Sequence, residues 1–231
     1  MRSIKAIFIK QATDMIKNPA VLTMFVIFPV VAFVMTKLIA HTDVNIPNNM
    51  FVSMMGAIFS GMGLITAMSA IIAEDIELKS LRFLIIAGVK PHEYLIGTGG
   101  FILLAGAITS LAFTLTGDFT GTEALKFFTI MIAGAAASII LGAAIGMFCR
   151  NQQAATSLGM PVAMLLGFTP MIANFNETVE KAAGILYTQQ INVIVNDLSI
   201  SLSKPLLIIA SNIAVFTVLF IVAYKMKGLK G

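Results

Sequence analysis

The sequence predicts an all-α integral membrane protein with six transmembrane helices, and three observations carry that prediction. First, 58% of the 231 residues are hydrophobic and 11% charged, with mean hydropathy +0.95, whereas soluble domains carry about 25% charge. That balance excludes a water-soluble globular protein, and it is the reverse of a disordered segment. Second, six uncharged apolar stretches are each long enough to cross a hydrocarbon layer about 30 Å thick. Third, the basic residues gather on one side of those stretches. At this length six spans leave no room for a folded soluble domain of roughly 100 residues.

Residues 1–18 read as an interfacial amphipathic helix. Ile4, Ile7, Phe8, Ala12, Met15 and Ile16 share a face at helical spacing, with Lys10, Asp14 and Lys17 turned away. Asn18 and Pro19 break it, since proline disfavours helix at the residue before it and is welcome in a first turn. The spans follow at 20–40, 50–73, 94–116, 124–149, 154–175 and 205–224. Two carry a lysine near one end, Lys37 and Lys126. There a long side chain snorkels and avoids most of the roughly 2.5–3.5 kcal/mol cost of a central charge.

Lys37, Lys126, Lys181 and Lys204 fall on one side of the membrane, and the other 11 of the 15 Lys and Arg on the opposite side. The excess side is cytoplasmic, so both termini are cytoplasmic. The net charge of +4 therefore records orientation; there is no basic run and no nucleic-acid partner is expected. Residues 182–196, with Gln189, Gln190, Asn192 and Asn196, are too short and polar to cross, so 176–204 forms an external surface or re-entrant segment. Tyr94 and Tyr224 fall at span edges, as interfacial aromatics do, and Tyr187 lies in the external segment. No removable signal peptide is evident. The lone Cys149 has no internal disulfide partner and reads as packing.

Within the fourth span Gly134, Ser138, Gly142 and Gly146 recur every four residues and form a small-residue stripe for close helix packing. Pro29, Pro161 and Pro170 each remove a helical hydrogen bond and permit kinks. The second and fifth spans are rich in methionine and phenylalanine: Met54, Met55, Phe59 and Met62 in one, Met164, Phe168 and Met171 in the other. Flexible thioethers repack around varied apolar groups, which suits a translocation path as well as ordinary packing.

The densest charge lies at 74–92, between the second and third spans. Glu74, Asp75, Glu77, Lys79 and Arg82 interleave with an apolar stripe of Leu78, Leu81, Leu84 and Ile85. Asp75 and Lys79 stand four apart and can pair on a helix; Gly88 and Pro91 end it. A short cytoplasmic amphipathic helix suits a partner's groove. The run Glu74-Asp75-Ile76-Glu77-Leu78-Lys79-Ser80-Leu81-Arg82-Phe83-Leu84-Ile85 resembles the cytoplasmic loop of type-2 ABC transporter permeases. An acidic pair, a Glu, a small hydroxyl residue, a Leu, a basic residue and two aliphatics recur there in this order. The amphipathic first helix, six spans and half-length external segment are similar to that family too, although Lys79 and Gly88 stand where it often has Gly and Pro.

The resemblance implies a coupling helix at 74–92 that docks a cytoplasmic ABC ATPase. Glu74, Asp75 and Glu77 would hold the loop to the membrane and the ATPase, with Arg82 beside them, while Leu81, Leu84 and Ile85 insert into its groove. It implies two ATPase copies beneath two permease subunits, identical or related, and a path between the permeases lined by the second and fifth spans. External re-entrant half-helices would cap that path. ATP and Mg would be bound by the partner, since G-x-x-x-x-G-K-[ST] is absent. Neither G-x-S-x-G nor a second histidine four after His92 is present, and Asp43, Asp118 and Asp197 lie outside the spans. The chain itself is therefore expected to be a non-catalytic, cofactor-free subunit in a bacterial plasma membrane. An apolar, methionine-rich path favours export of hydrophobic or amphipathic solutes, such as antimicrobial or cytolytic peptides or drugs. Polysaccharide or lipid export shares the fold, and a stand-alone peptide-binding immunity or sensor protein is the reading from another class.

Overall fold

A chain inside hydrocarbon must satisfy its backbone polar groups internally, and a helix does so within one segment. In the computed structural model, which describes residues 2–17, 19–40 and 49–228, every regular element is helical. The break expected at Asn18, the loop residues His41 and Asp43, and Lys230 lie outside the described residues. Six helices are long and apolar enough to cross a membrane: Val21–Ile39, Met50–Glu77, Pro91–Thr116, Gly121–Phe148, Gln152–Ala173 and Ser203–Met226.

The elements run in order as follows. Helix α1 (Arg2–Lys17) precedes α2 (Pro19–Met35), which continues into a π-helical turn at Thr36–Ala40. The second span is one continuous rod: α3 (Met50–Ile58), a π-helical turn at Phe59–Gly63, and α4 (Leu64–Glu77). A short α5 (Ser80–Ile86) follows, then α6 (Pro91–Thr116), α7 (Gly121–Phe148) and α8 (Gln152–Ala173), the last unbroken through Pro161 and Pro170. Two short helices, α9 (Glu177–Ala183) and α10 (Tyr187–Asn196), come before α11 (Ser203–Gly228). Glu74, Asp75 and Glu77 thus stand on the last turn of a span and not in a loop.

The second and fourth spans form the centre, 78% and 67% buried, while α2 and α11 are each 17% buried and α8 28%. The small-residue stripe of α7 explains the close approach. A Cβ on Gly142 would stand 2.7 Å from the Ile65 carbonyl oxygen, and one on Gly146 would stand 2.7 Å from Ile72 Cβ. One on Gly134 would collide with the Ile191 side chain of α10, and Ser138 Oγ contacts Ser60 Oγ at 3.2 Å. The stripe therefore faces α4 and α10.

Polar contacts sort the loops onto two ends of the bundle. At the α5 end Lys10 pairs with Asp75, and Gln152 meets Glu74. At the α10 end Lys37 pairs with Asp118 at 3.0 Å, and Asn49 donates to the Val195 carbonyl. Lys126 Nζ also donates there, to the Leu198 and Ile200 carbonyls. The two lysines read as snorkelling thus each have a protein partner. Asn174, before α9, accepts hydrogen bonds from Asn192 and Asn196, after it. Both ends of this segment therefore lie at one end of the bundle, and it returns without crossing. Ten residues of α10 span about 15 Å, half of a hydrocarbon layer.

Two of the tyrosines lie inside the bundle. Tyr94 and Tyr187 are fully buried, because each hydroxyl finds an internal partner, Asp75 Oδ2 at 2.7 Å and Ser138 Oγ at 2.9 Å respectively.

Candidate functional site

The α5 end gathers buried polar chemistry around one carboxylate. Asp75 is 2% exposed. Its Oδ1 accepts from Lys10 Nζ at 2.6 Å and Ser80 Oγ at 2.7 Å, and its Oδ2 from Gln11 Nε2 at 3.1 Å and Tyr94 OH at 2.7 Å. A buried carboxylate is tolerated only when paired and hydrogen-bonded, and four donors match its roughly four lone-pair sites. The donors come from α1, α5 and α6, so one side chain on α4 ties three other helices together.

This arrangement corrects two expectations. Lys10 does not turn away from the protein, and Asp75 does not pair with Lys79. Helix α4 ends at Glu77 and Lys79 adopts φ +59°, so the i, i+4 geometry never forms. The sequence reading also missed Gln11, 2% exposed; an uncharged polar residue beside the apolar face of α1 was the signal available. Burial opposes the charge on Lys10, but hydrogen bonding and attraction to Asp75, then Asp14, outweigh it and raise its pKa above the ordinary 10.5. A raised folded-state pKa means the contribution is complete below the ordinary lysine value and lost as pH climbs through the raised one. Protection of the α1 amides, taken relative to the base-catalysed exchange of an unstructured peptide at each pH, should therefore hold on alkaline titration up to 10.5; loss of that protection well below this value would contradict the pairing.

The other two acidic residues hold a fourth helix. Gln152 Nε2 donates to Glu74 Oε2 at 2.8 Å, and the Gln152 backbone N–H donates to Glu77 Oε2 at 3.1 Å. Gln152 opens α8, where unsatisfied N–H groups and the helix dipole favour an acceptor. Asn151 caps the same turn by accepting from Ala154 N–H.

Helix α5 lies across these supports. Leu81, expected to enter a partner's groove, is 4% exposed and packs into this chain's own core. Leu84 and Ile85 are half-buried beside it. The reason is geometric: the apolar stripe of a short helix seats it on whatever lies beneath, here the bundle itself. The opposite face presents Arg82, Phe83 and Ile86, with Phe83 70% and Ile86 73% exposed, and Leu78, expected in the apolar stripe, precedes α5 and is exposed as well.

The path residues also divide. Phe59 is buried in an aromatic cluster, its ring centroid 5.8 Å from those of Phe25 and Phe113 and 6.0 Å from Phe28, so it faces the interior of the bundle and not a path on its surface. Met54, Met55 and Met62 are half-buried. Gly61 beside Met62 permits the crossing with α8, since a Cβ there would stand 2.6 Å from the Gly167 backbone. On α8, Met160, Met164 and Met171 share one exposed face at i, i+4 and i+11, and Phe168 stands half-buried at its edge.

A comparison with known families matches residues 2–177 to a sequence model described as ABC-2 type transporter. No curated protein matches the chain.

Proposed function

Because the chain belongs to the ABC-2 type transporter family, and is thus a multi-pass permease subunit of an ABC transporter, we propose that it exports a hydrophobic or amphipathic solute, driven by a separate ATPase seated on α5. The observation that carries this reading is the mounting of α5. Its outer face exposes Phe83 and Ile86, while Ser80 and the end of α4 connect it through Asp75 to α1 and α6 and through Glu74 and Glu77 to α8. An exposed aromatic and aliphatic pair three residues apart on a helix is what a hydrophobic groove accepts. A displacement of α5 is then passed to three membrane-associated helices at once, as rigid-body switching requires.

The excess of basic residues at the α5 end supports placing that end in the cytoplasm. Two ATPase copies, which would bind ATP and Mg, sit beneath two permease subunits in this reading. The open face of α8, with Met160, Met164 and Met171 and the half-buried Phe168 at its edge, turns toward the second permease and the path. Amphipathic peptides or drugs suit that thioether and phenyl lining better than strongly hydrated sugars.

The test is a tagged pull-down from detergent-solubilised native membranes. An ATPase subunit should co-purify with the intact chain, and hydrolysis should rise with amphipathic peptides more than with sugars or lipids. Phe83→Asp with Ile86→Asp should abolish co-purification, while melting shifts little because both side chains are solvent-exposed. Retention of the ATPase by the double variant would remove α5 from the contact; an intact chain recovered alone and inert would remove the motor.

A further inference from the structure

Helix α10 has two unlike faces. Toward α7 and α11 it is fitted tightly: Ile191 occupies the space left by Gly134, Tyr187 bonds Ser138, and its ring lies edge-on to Phe216 at 6.1 Å. Withdrawing that face would open a void and forfeit its dispersion contacts. Toward α3 and α8 it carries carboxamides at i, i+3 and i+7, namely Gln189, Asn192 and Asn196. Asn192 is the hub. Its Oδ1 accepts from Ser53 Oγ of α3 at 2.9 Å and Asn196 Nδ2 at 3.3 Å, and its Nδ2 donates to Asn174 Oδ1 at the end of α8 at 2.8 Å. Deeper along this stripe Gln189 Oε1 is buried with no partner, and so is the adjacent Thr188 Oγ1. Hydrogen bonds of this kind exchange for bonds to water or solute at little net cost, and an unpartnered buried acceptor gains by the exchange.

We propose that α10 stays with α7 and α11 and parts from α3 and α8 along this carboxamide seam, with Asn192 as the latch, so that Gln189 and Asn192 become the hydrogen-bonding lining of the outer half of the path. The proposal rests on the preceding reading for the statement that the α10 end is the exit. The latch belongs to this chain alone and needs no ATP to be tested.

The experiment uses the complex in vesicles with the native thiol removed by Cys149→Ala and Gln189→Cys as reporter, labelled by a membrane-impermeant maleimide added at the α10 side. The reporter replaces a side chain whose Oε1 makes no bond. At rest it should label slowly. Adding Asn192→Ala should speed labelling without ATP by about fivefold to tenfold, the equivalent of one or two lost hydrogen bonds. Ser53→Ala, which removes a donor outside α10, should act in the same direction and serves where Asn192→Ala folds poorly. ATP turnover should speed labelling in the chain with Asn192 intact. Labelling indifferent to both substitutions would overturn the latch, as would labelling unchanged by ATP while hydrolysis proceeds. Failure of the ATPase to co-purify would count against the preceding reading, and the labelling without ATP would still decide the latch.

Discussion

Replacing Asp75 with alanine should free α1 and α5 from the bundle while the six spans stay inserted. Removing this carboxylate leaves Lys10 without its short ion pair, Gln11 and the buried Tyr94 hydroxyl without their acceptor, and Ser80 with only the backbone carbonyl of residue 75. Lys10 is partly exposed and keeps Asp14, so the larger loss is in the two buried donors left unsatisfied, about 1–3 kcal/mol each, enough to populate the local opening that proteases detect. Trypsin should then cut at Lys10, Lys17, Lys79 or Arg82 much faster than in the intact protein, and recovery of the ATPase partner should fall with it. Asp75→Asn should lie between the two, because an amide keeps one acceptor oxygen but presents an N–H₂ donor to a lysine or hydroxyl. Cleavage at the rate of the intact chain would show that the four bonds do not seat these helices.

Gly142→Leu should have the next largest effect, through backbone and not charge. A Cβ at this position would meet the Ile65 carbonyl oxygen at 2.7 Å and Met68 Cβ at 2.9 Å. A main-chain carbonyl within a helix cannot step aside, so α4 and α7, the two most buried spans, must separate. Overpacking a core costs about 1–3 kcal/mol, and here no side-chain rotation relieves it. The thermal midpoint in detergent should fall clearly. Gly100→Leu is the matched control, since a Cβ on Gly100 of α6 meets nothing within 4 Å. Equal midpoints for the two variants would mean that the α7 stripe is not a tight contact.

Much of the architecture was legible because a bilayer imposes a simple requirement, a long uncharged run, and the six runs carry it plainly. The segment 182–196 was legible as non-crossing for the same reason, since its carboxamides exclude a full span. Individual site residues were less legible. The stripe of Leu81, Leu84 and Ile85 identified α5 as amphipathic, but periodicity reports only that a helix has an apolar side. Whether that side meets the chain's own bundle or another protein depends on what lies beneath it. The bundle lies beneath it, and the outward residues are Phe83 and Ile86. Phe59 shows the same ambiguity: a phenylalanine in a span reads identically on a path and in the cluster with Phe25, Phe28 and Phe113.

The sequence by itself determined the helical class, the number of spans, the charge asymmetry between the two sides and the place of the acidic and amphipathic run at 74–92. These follow from composition and local spacing, because lipid solvation and helix periodicity act on neighbours along the chain. Only the tertiary structure decided that Asp75 belongs to Lys10, Gln11 and Tyr94, that Glu74 and Glu77 meet the first residue of α8, and that Asn192 joins α10 to α3 and α8. The partners stand 64 and 65 residues from Asp75 on α1, 78 from Glu74 and 139 from Ser53. A buried polar group takes whichever partner the packing of helices brings within 3 Å, and no local pattern encodes that choice.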